Sequence, residues 1–452
     1  MKNREIILSK EKPRNAIVKL AIPAIIALLV KAFYNIVDTF YIGMLNDEIA
    51  LAAVGVTLPI ILISSSVENI FASGSSVLVG KYLGENKKEK SSEILSSTFL
   101  VSIIIGLVFS LSGIFFMEDI LKVFGASEIT LPKAKEYAIF MFLSILVNVP
   151  SESLSFSLRA ESSVKITTIA VTIGAILNII LDPIFMFSFG LNLGIKGAAM
   201  ASLISQIVSF IIILWYYLSK RSIVELDFKN ININLDMLKN IIKIGLPTAI
   251  MQITMAIGTA LTNISISKLN NSHYILASYG VVQRLIVIGL FIILGFMQGY
   301  QPVIAYAKGA KNKERFKESY KFTKIMTVFI SIVISIFFIL FAKPLISLFN
   351  KNEIILDYGS KILISQVLFY FVFGISYMLT VTLQVINMPK VGMLISFVRQ
   401  GIVYPLIILN LPRIFGIKGL YLSQPIADLI SLVILIYIIK KINLKNKIAD
   451  FT

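Results

Sequence analysis

Long apolar runs, separated by short polar stretches, dominate the chain. A transmembrane helix needs about 20 consecutive, mostly apolar residues. Such runs predict six spans, then a polar stretch from Ser219 to Asn240, then six more spans. The pattern therefore predicts an all-α polytopic membrane protein with twelve transmembrane helices. The predicted spans are 15–43, 50–80, 93–116, 134–158, 164–187, 194–217, 239–267, 275–306, 318–341, 357–384, 391–411 and 416–440.

The two halves of the chain repeat each other. The stretch beginning at Ala52 aligns with the one beginning at Ala277, and GIKG opens the last span of each half, at 194–197 and 416–419. Six crossings are an even number, so both halves enter the membrane with the same orientation. We predict two six-helix bundles related by a pseudo-twofold axis along the membrane normal, as in alternating-access transporters. The aligned positions include Gly55 with Gly280, Gly74 with Gly299, Gly84 with Gly309 and Pro23 with Pro247.

This repeat also predicts the domain organisation. We expect an N-terminal six-helix lobe over residues 1–218 and a cytoplasmic linker over 219–238. A C-terminal six-helix lobe should follow over 239–452. A duplicated receptor or structural protein is the alternative, but two equal lobes around a central cavity fit alternating access better.

Composition agrees with a membrane protein. Charged residues make up 15% of the chain and the mean hydropathy is +0.86, whereas soluble proteins carry about 25% charged residues. The net charge of +17 does not indicate nucleic acid, because Lys and Arg concentrate in alternate short loops. Such loops mark the cytoplasmic face, so both termini are predicted to be cytoplasmic and the lipid bilayer to be the partner.

Few residues could support enzyme chemistry. Cysteine is absent, which excludes disulfides and thiolate metal sites, and His273 is the only histidine. No nucleophile, base or metal constellation is found in the sequence, so we expect no enzymatic activity and no bound organic cofactor.

Four motifs stand out along the chain: YNIVDTFYIG (34–43), LAAVGVTLPI (51–60), SLRAESSVK (157–165) and AYAKGAKNKERF (305–316). They resemble motifs of the multidrug and toxic compound extrusion (MATE) family of cation-coupled efflux pumps. The similarity runs through essentially the whole chain in order. It implies a secondary transporter, expected as a monomer in the cytoplasmic (inner) membrane of a prokaryote.

The resemblance implies a cation site in the N-terminal lobe. Matched residue by residue, it would consist of Asp38, Asn178, Asp182 and the hydroxyl of Ser202. If the coupling ion is Na⁺, then Asp38, Asn178 and Asp182 are its expected ligands; otherwise a proton is carried.

Physical reasoning agrees with this placement. Asn178 and Asp182 are four residues apart and share a helix face. At about 1.5 Å per residue, Asp38, Asp182 and Ser202 lie at similar depth in the outer half of the lobe. Two adjacent carboxylates do not both stay charged without a cation, so one holds a proton or both share Na⁺. The alternative is that each carboxylate is a hydrogen-bonded packing residue, but ionisable groups in spans usually face a cavity or partner.

Other polar side chains within the spans are candidates for a substrate cavity. Lys31 is an internal counter-ion, part of a switch, or a residue lining a water-filled vestibule. Glu68 and Glu152 either attract cationic substrate or form ion pairs. Arg399 and Asp428 are expected either to pair with each other or to act as a lipid-side anchor. The cavity candidates are Lys31, Tyr34, Glu68, Glu152, Gln252 and Gln283.

An acidic cavity with aromatic walls favours amphipathic cationic drugs or dyes. The predicted function is therefore export of such cations in exchange for Na⁺ or H⁺. The alternative is a lipid-linked oligosaccharide flippase of the same superfamily. A flippase would need several arginines to hold a pyrophosphate, whereas only Arg284 and Arg399 lie within the predicted spans.

Overall fold

The fold was analysed in a computed structural model that describes residues 2–45, 47–229 and 231–443. Every regular element in these ranges is helical. Basic residues after Asn443 and the end of the predicted C-terminal lobe lie outside the described residues. The α-helices are α1 (Lys2–Ser9), α2 (Pro13–Met44), α3 (Glu48–Gly84), α4 (Lys88–Phe115), α5 (Met117–Val123), α6 (Leu131–Ala160), α7 (Val164–Met186), α8 (Ile195–Leu218), α9 (Leu235–Ile266), α10 (Ser272–Gly309), α11 (Lys313–Leu340), α12 (Ala342–Ser347), α13 (Glu353–Val367), α14 (Tyr370–Val385), α15 (Pro389–Phe397) and α16 (Tyr404–Lys441).

The predicted twelve crossings are confirmed, although they are not twelve separate straight helices. Helices α2, α3, α4 and α6 to α11 are each long and apolar enough to cross a membrane. The pair α13–α14 crosses as one bent span, and 389–441 runs on as a single helical stretch. Within that stretch Gly416 has φ 56° and ψ −137°, a backbone conformation that glycine adopts readily. Gly194, its repeat partner, has φ 57° and ψ −136°, so the stretch divides into two crossings at Gly416.

Two irregularities in the C-terminal lobe were not predicted. The expected span 357–384 bends by 43° between α13 and α14, and the residues at the break, Leu368 and Phe369, are neither proline nor glycine. A π-helical turn, Val398–Val403, links α15 to α16. The corresponding helices of the N-terminal lobe, α6 and α7, are continuous. Sharp bends usually come from Pro, Gly or a π-turn, so the break at Phe369 has no sequence signal.

The two lobes pack together through exchanged pairs of helices. Helix α2 packs on α10 and α3 packs on α9, which is the exchange expected for a pseudo-twofold axis. A Cβ atom on Gly84 would lie 2.1 Å from the carbonyl oxygen of Tyr306, and one on Gly309 would lie 1.9 Å from that of Lys81. The repeat alignment relates these two contacts to each other. Close backbone approach between the lobes therefore requires glycine at both positions.

Among the described residues, the closest backbone contacts between the lobes at these glycines lie toward one end of the helices. We call the end that holds Gly84 and Gly309 the closed end. Gly55 and Gly280, nearer the opposite ends of α3 and α10, would meet no atom within 4 Å of an added Cβ. The cleft between the lobes is thus closed at the closed end and open around Gly55 and Gly280.

Polar contacts reinforce the closed end. The Arg315 side chain of α11 donates from Nη1 to the carbonyl oxygen of Glu11 (2.6 Å) and from Nη2 to that of Ile7 (2.9 Å). The first lobe's N-terminal segment is thereby tied to the second lobe. Gln301 also donates to the Ser73 hydroxyl across the interface, at 3.4 Å. These contacts bind the two lobes together where they meet.

A buried glutamate fastens the segment between the lobes. Glu161, just after α6, is fully buried. It accepts hydrogen bonds from the backbone N–H groups of Ile223 (2.7 Å) and Val224 (2.9 Å), and from the Ser222 hydroxyl (2.7 Å). The start of the predicted linker therefore lies against the N-terminal lobe, while the linker's bounds stay a prediction.

Candidate functional site

Three of the four predicted cation-site residues are in direct contact. Helix α7 packs against α8, which brings Asn178 and Asp182 to Ser202. The Asn178 amide donates to Asp182 Oδ1 at 2.9 Å and to the Ser202 hydroxyl at 3.3 Å. Asn178 is 1% exposed and Asp182 is 0% exposed. The one-turn spacing along α7 thus places Asn178 and Asp182 side by side in the interior, and α8 adds Ser202 to this polar group.

The buried oxygens around this pair are not all satisfied. Asp38 Oδ1, Asn178 Oδ1 and Asp182 Oδ2 are buried and have no hydrogen-bond partner among the described residues. Leaving a buried acceptor unpaired costs about 1–3 kcal/mol, and more for a charged group. Carboxylate and amide oxygens are hard ligands that suit a cation or accept a proton. The donor set therefore fits the predicted site for Na⁺ or H⁺.

Asp38 belongs to the same neighbourhood. Helix α2 packs against α7, and Asp38 lies within electrostatic range of Asp182. Both carboxylates are also near Tyr34 and near Tyr137 of α6. Tyr137 is buried and was not predicted from the sequence, because one tyrosine in an apolar helix resembles a packing residue.

Pro183 lies inside α7 and does not end it, since the helix continues to Met186. Proline lacks the N–H group that would bond to the carbonyl of Ile179. The carbonyl oxygen of Ile179 thereby loses its helical donor, and from the sequence we expect it to be available as an extra ligand.

A cavity of about 100 Å³ adjoins the site in the N-terminal lobe. Its walls contain Lys31, Tyr34, Glu68 and Glu152, together with Asn178 and Ser202. Sequence reasoning missed the other polar residues of the wall, because single serines, asparagines and glutamines in apolar helices carry no distinctive spacing. They are Asn148, Ser151, Ser155, Ser205, Gln206 and Ser209.

Charges in this cavity are partly compensated. Lys31 Nζ lies 4.0 Å from Glu152 Oε1, which is the ion pair considered from the sequence. Glu68 accepts a hydrogen bond of 2.7 Å from Ser64 and lies within electrostatic range of Lys31. Drug-sized ligands occupy pockets of about 300–1,000 Å³, so this cavity holds an ion, water or one chemical group. A whole drug would have to extend into the cleft.

The two candidates from the second lobe lie in different places. Gln283 lines a cavity of about 80 Å³ in the C-terminal lobe and donates to Gln366 at 3.3 Å. Gln252 is half-buried and lines neither lobe cavity. The expected pair of Arg399 and Asp428 is confirmed, with Arg399 Nε 2.7 Å from Asp428 Oδ1.

The comparisons with known proteins agree with this architecture. The MatE family model matches residues 23–184 and 247–409, one match in each half. The chain belongs to the MATE family. This is a family of transporters and not of enzymes, in agreement with the expectation from the sequence, and the chain is a multi-pass membrane protein.

Similar proteins are found in bacteria. The multidrug export protein MepA of Staphylococcus aureus (strain MRSA252) is 29% identical over 431 residues, covering 95% of this chain and 94% of its own. MepA of Staphylococcus saprophyticus is 27% identical over 423 residues, covering 93% and 92%.

Solved structures share the fold. A multidrug resistance MATE family transporter of the MOP superfamily, in an outward-facing conformation, superposes with a TM-score of 0.91 at 22% identity, covering 100% of this chain and 99% of the other. A MOP superfamily transporter from Pyrococcus furiosus gives a TM-score of 0.90 at 22% identity, covering 98% of both chains.

Proposed function

We propose that this MATE chain is a secondary active multidrug efflux antiporter. It exports amphipathic organic cations in exchange for Na⁺ or H⁺ by alternating access. The observation that carries the proposal is the group of Asp38, Asn178 and Asp182, each of which has a buried oxygen without a hydrogen-bond partner among the described residues. The MepA relatives, which are multidrug export proteins, support the drug-export part.

The cleft is closed at one end and open at the other, which supports an alternating-access cycle in which the two lobes move against each other. The positive-inside rule predicts that the basic loops, and with them the closed end, lie on the cytoplasmic side; the open end of the cleft would then face outward. A cation arriving from outside would then satisfy the free oxygens of the two carboxylates. Binding changes the charge of the buried site, and this biases the equilibrium between the two lobe arrangements. The exchange is obligatory if substrate and ion favour opposite arrangements.

The N-terminal cavity supports cations as the substrate class. Glu68 and Glu152 line this cavity, and Lys31 is the one basic residue of its wall in the described part of the chain. Asp38 and Asp182 of the adjoining site add two more carboxylates. This excess of acid attracts positive charge and can hold a drug's ammonium group while its apolar part lies in the cleft. No arginine lines this cavity in the described part of the chain, which argues against a pyrophosphate-binding flippase.

The test is efflux of a fluorescent organic cation from proteoliposomes under an imposed Na⁺ or H⁺ gradient. Asp182→Asn should abolish gradient-driven efflux, and the gradient that drives the wild type identifies the ion. Asp357→Asn is the matched control, because Asp357 is exposed and pairs only locally with Lys361.

Undiminished efflux by Asp182→Asn would move the coupling site away from this residue. Efflux absent in the wild type under both gradients would contradict the antiporter proposal and favour the flippase.

A further inference from the structure

The cavity of the C-terminal lobe differs in chemistry from its counterpart. Its wall contains Arg399, four glutamines and three tyrosines, with Phe373 and aliphatic residues. Neither Asp nor Glu lines it in the described part of the chain. The glutamines are Gln283, Gln366, Gln400 and Gln424, and the tyrosines are Tyr279, Tyr370 and Tyr404.

The pseudo-twofold repeat relates this cavity to the cation site. The register that aligns Pro23 with Pro247 places Thr262 at the position of Asp38. The register that aligns Gly194 with Gly416 places Gln424 at the position of Ser202. Both replacements are neutral.

The residue of the C-terminal lobe that corresponds to Asp182 can be identified from equivalent contacts at the ends of the helices. A Cβ on Gly197 would lie 2.6 Å from the carbonyl oxygen of Phe185, and one on Gly419 would lie 2.2 Å from that of Leu411. Asp182 lies three residues before Phe185, and Ile408 lies three residues before Leu411, so Ile408 occupies the position of Asp182. Tyr404 falls at the position of Asn178. The C-terminal lobe thus keeps the fold of the cation site without its carboxylates, and Thr262 and Tyr404 hydrogen-bond to each other at 2.8 Å.

A one-residue insertion shapes the cavity wall. Ser162 (φ 65°) and Asn387 (φ 62°) mark equivalent turns before α7 and α15. The stretch from Asn387 to Leu411 is one residue longer than that from Ser162 to Phe185. The π-helical turn accommodates the extra residue, as such turns do within α-helices.

The insertion falls where the N-terminal cavity has a glycine. When residues are counted forward from the turns at Ser162 and Asn387, Gly174 corresponds to Arg399. When they are counted back from the helix ends at Phe185 and Leu411, Gly174 corresponds to Gln400. Gly174 lines the N-terminal cavity, where an added Cβ would lie 2.1 Å from Ser209 Oγ. The π-turn therefore presents an arginine and a glutamine where the first lobe has no side chain. The break between α13 and α14 also borders this wall, between Gln366 and Tyr370.

Arg399 is held as an oriented donor. Its Nε donates to Asp428 Oδ1, which also accepts from Gln424 at 2.9 Å, and its guanidinium lies 5.4 Å from the Phe373 ring centre. The side chain is 7% exposed, and its Nη atoms have no hydrogen-bond partner among the described residues. Arginine donors in a fixed plane match a carboxylate, which they bind through two parallel bonds. Asp428 balances the charge, so recognition would depend on directed hydrogen bonds.

We propose that the C-terminal cavity is a second ligand subsite, which binds a carboxylate group carried by an amphipathic ligand. Arg399 Nη atoms and the wall amides donate to that carboxylate, while the rest of the ligand extends outside the cavity, whose volume is about 80 Å³. The ligand class rests on the proposed export function, but binding at this subsite needs neither a gradient nor the coupling carboxylates.

The test uses two dyes that differ by one group: rhodamine 110, which has a free carboxylic acid, and rhodamine 123, its methyl ester. Equilibrium Kd values are measured by fluorescence anisotropy with the full chain in nanodiscs, without any gradient. The variant is Arg399→Gln/Asp428→Asn, which removes the ion pair without leaving a lone buried charge. The double variant should raise the Kd of rhodamine 110 about tenfold and change the Kd of rhodamine 123 by less than about twofold.

Arg413→Gln, at an exposed arginine of the same lobe, is the matched control and should leave both Kd values unchanged. Unchanged binding of both dyes in the double variant would make the ion pair purely structural and overturn the proposal. Equal weakening of both dyes, or wild type that does not bind the acid dye, would also overturn it.

If the double variant does not fold, Gln283→Ala decides the question, since it removes a wall amide outside the ion pair. It must then weaken rhodamine 110 selectively, and equal Kd values in wild type and variant would overturn the proposal. Asp182→Asn tested in parallel separates the two proposals, because loss of coupled efflux should leave the acid-dye affinity intact.

Discussion

The closed end offers a direct test of how the lobes are held together. A Cβ at Gly309 would lie 1.9 Å from the carbonyl oxygen of Lys81, far inside van der Waals contact. The position of a Cβ is fixed by its own helix backbone and the Lys81 oxygen is a backbone atom, so no side-chain rotation relieves the clash. Gly309→Ala must therefore separate α3 and α10 at this end. We expect it to shift the population toward an arrangement in which the closed end opens.

The size of the shift follows from the contact. Overpacking a well-packed region costs about 1–3 kcal/mol, which corresponds to a change of about 5- to 150-fold in the equilibrium between two arrangements. The cost falls only on the closed arrangement, because the contact is absent once the lobes part. Alanine's higher helix propensity, at most about 1 kcal/mol, acts on both arrangements alike.

The assay measures the distance between nitroxide labels at Lys88→Cys and Lys313→Cys by pulsed electron paramagnetic resonance. These residues are exposed and begin α4 and α11, one in each lobe; the chain has no native cysteine. Gly309→Ala should add a longer-distance population. Gly55→Ala is the matched control, because no atom lies within 4 Å of its added Cβ. An unchanged distance distribution in Gly309→Ala would refute the reasoning.

Two further predictions concern other contacts of the described chain. Arg315→Ala removes two hydrogen bonds to the carbonyls of Glu11 and Ile7, so the same spin labels should report a longer-distance population; no change would show that the N-terminal segment does not hold the lobes. Glu161→Ala leaves the Ile223 and Val224 N–H groups without their acceptor, at about 1–3 kcal/mol for each buried group. Its melting temperature in detergent should fall by several degrees, whereas that of Glu225→Ala, at an exposed position, should not; equal melting temperatures would contradict the anchoring role.

Much of the fold could be predicted because the bilayer requires long apolar helices. The repeat then fixed their grouping, and Gly194 and Gly416, found by their shared GIKG motif, have nearly the same backbone angles. Bends without proline or glycine could not be predicted. The break at Phe369 is one such bend, since tertiary context can override local helix propensity.

The candidate site was predictable in part for a different reason. Asn178 and Asp182 stand out because polar groups in an apolar span are costly, and their spacing already places them on one face. Tyr137 lacks such a signal, since its role depends on which helices meet. Gln252 and Gln283 look alike in sequence, yet of the two only Gln283 lines one of the two lobe cavities formed by the described residues. Depth and residue type can be read from one chain, but side-chain direction between helices cannot.

The unequal chemistry of the two lobes bears on how coupling could work. The repeat supplies two equivalent positions for a cation, and the second has Thr262 and Ile408 where the first has Asp38 and Asp182. Two identical carboxylate sites would let an ion load either lobe independently. With this pair of carboxylates confined to one lobe, ion binding at the proposed site would act on one side of the pseudo-symmetric interface that Gly84 and Gly309 hold. The neutral counterpart can then be used for a different ligand group without competing for the coupling ion.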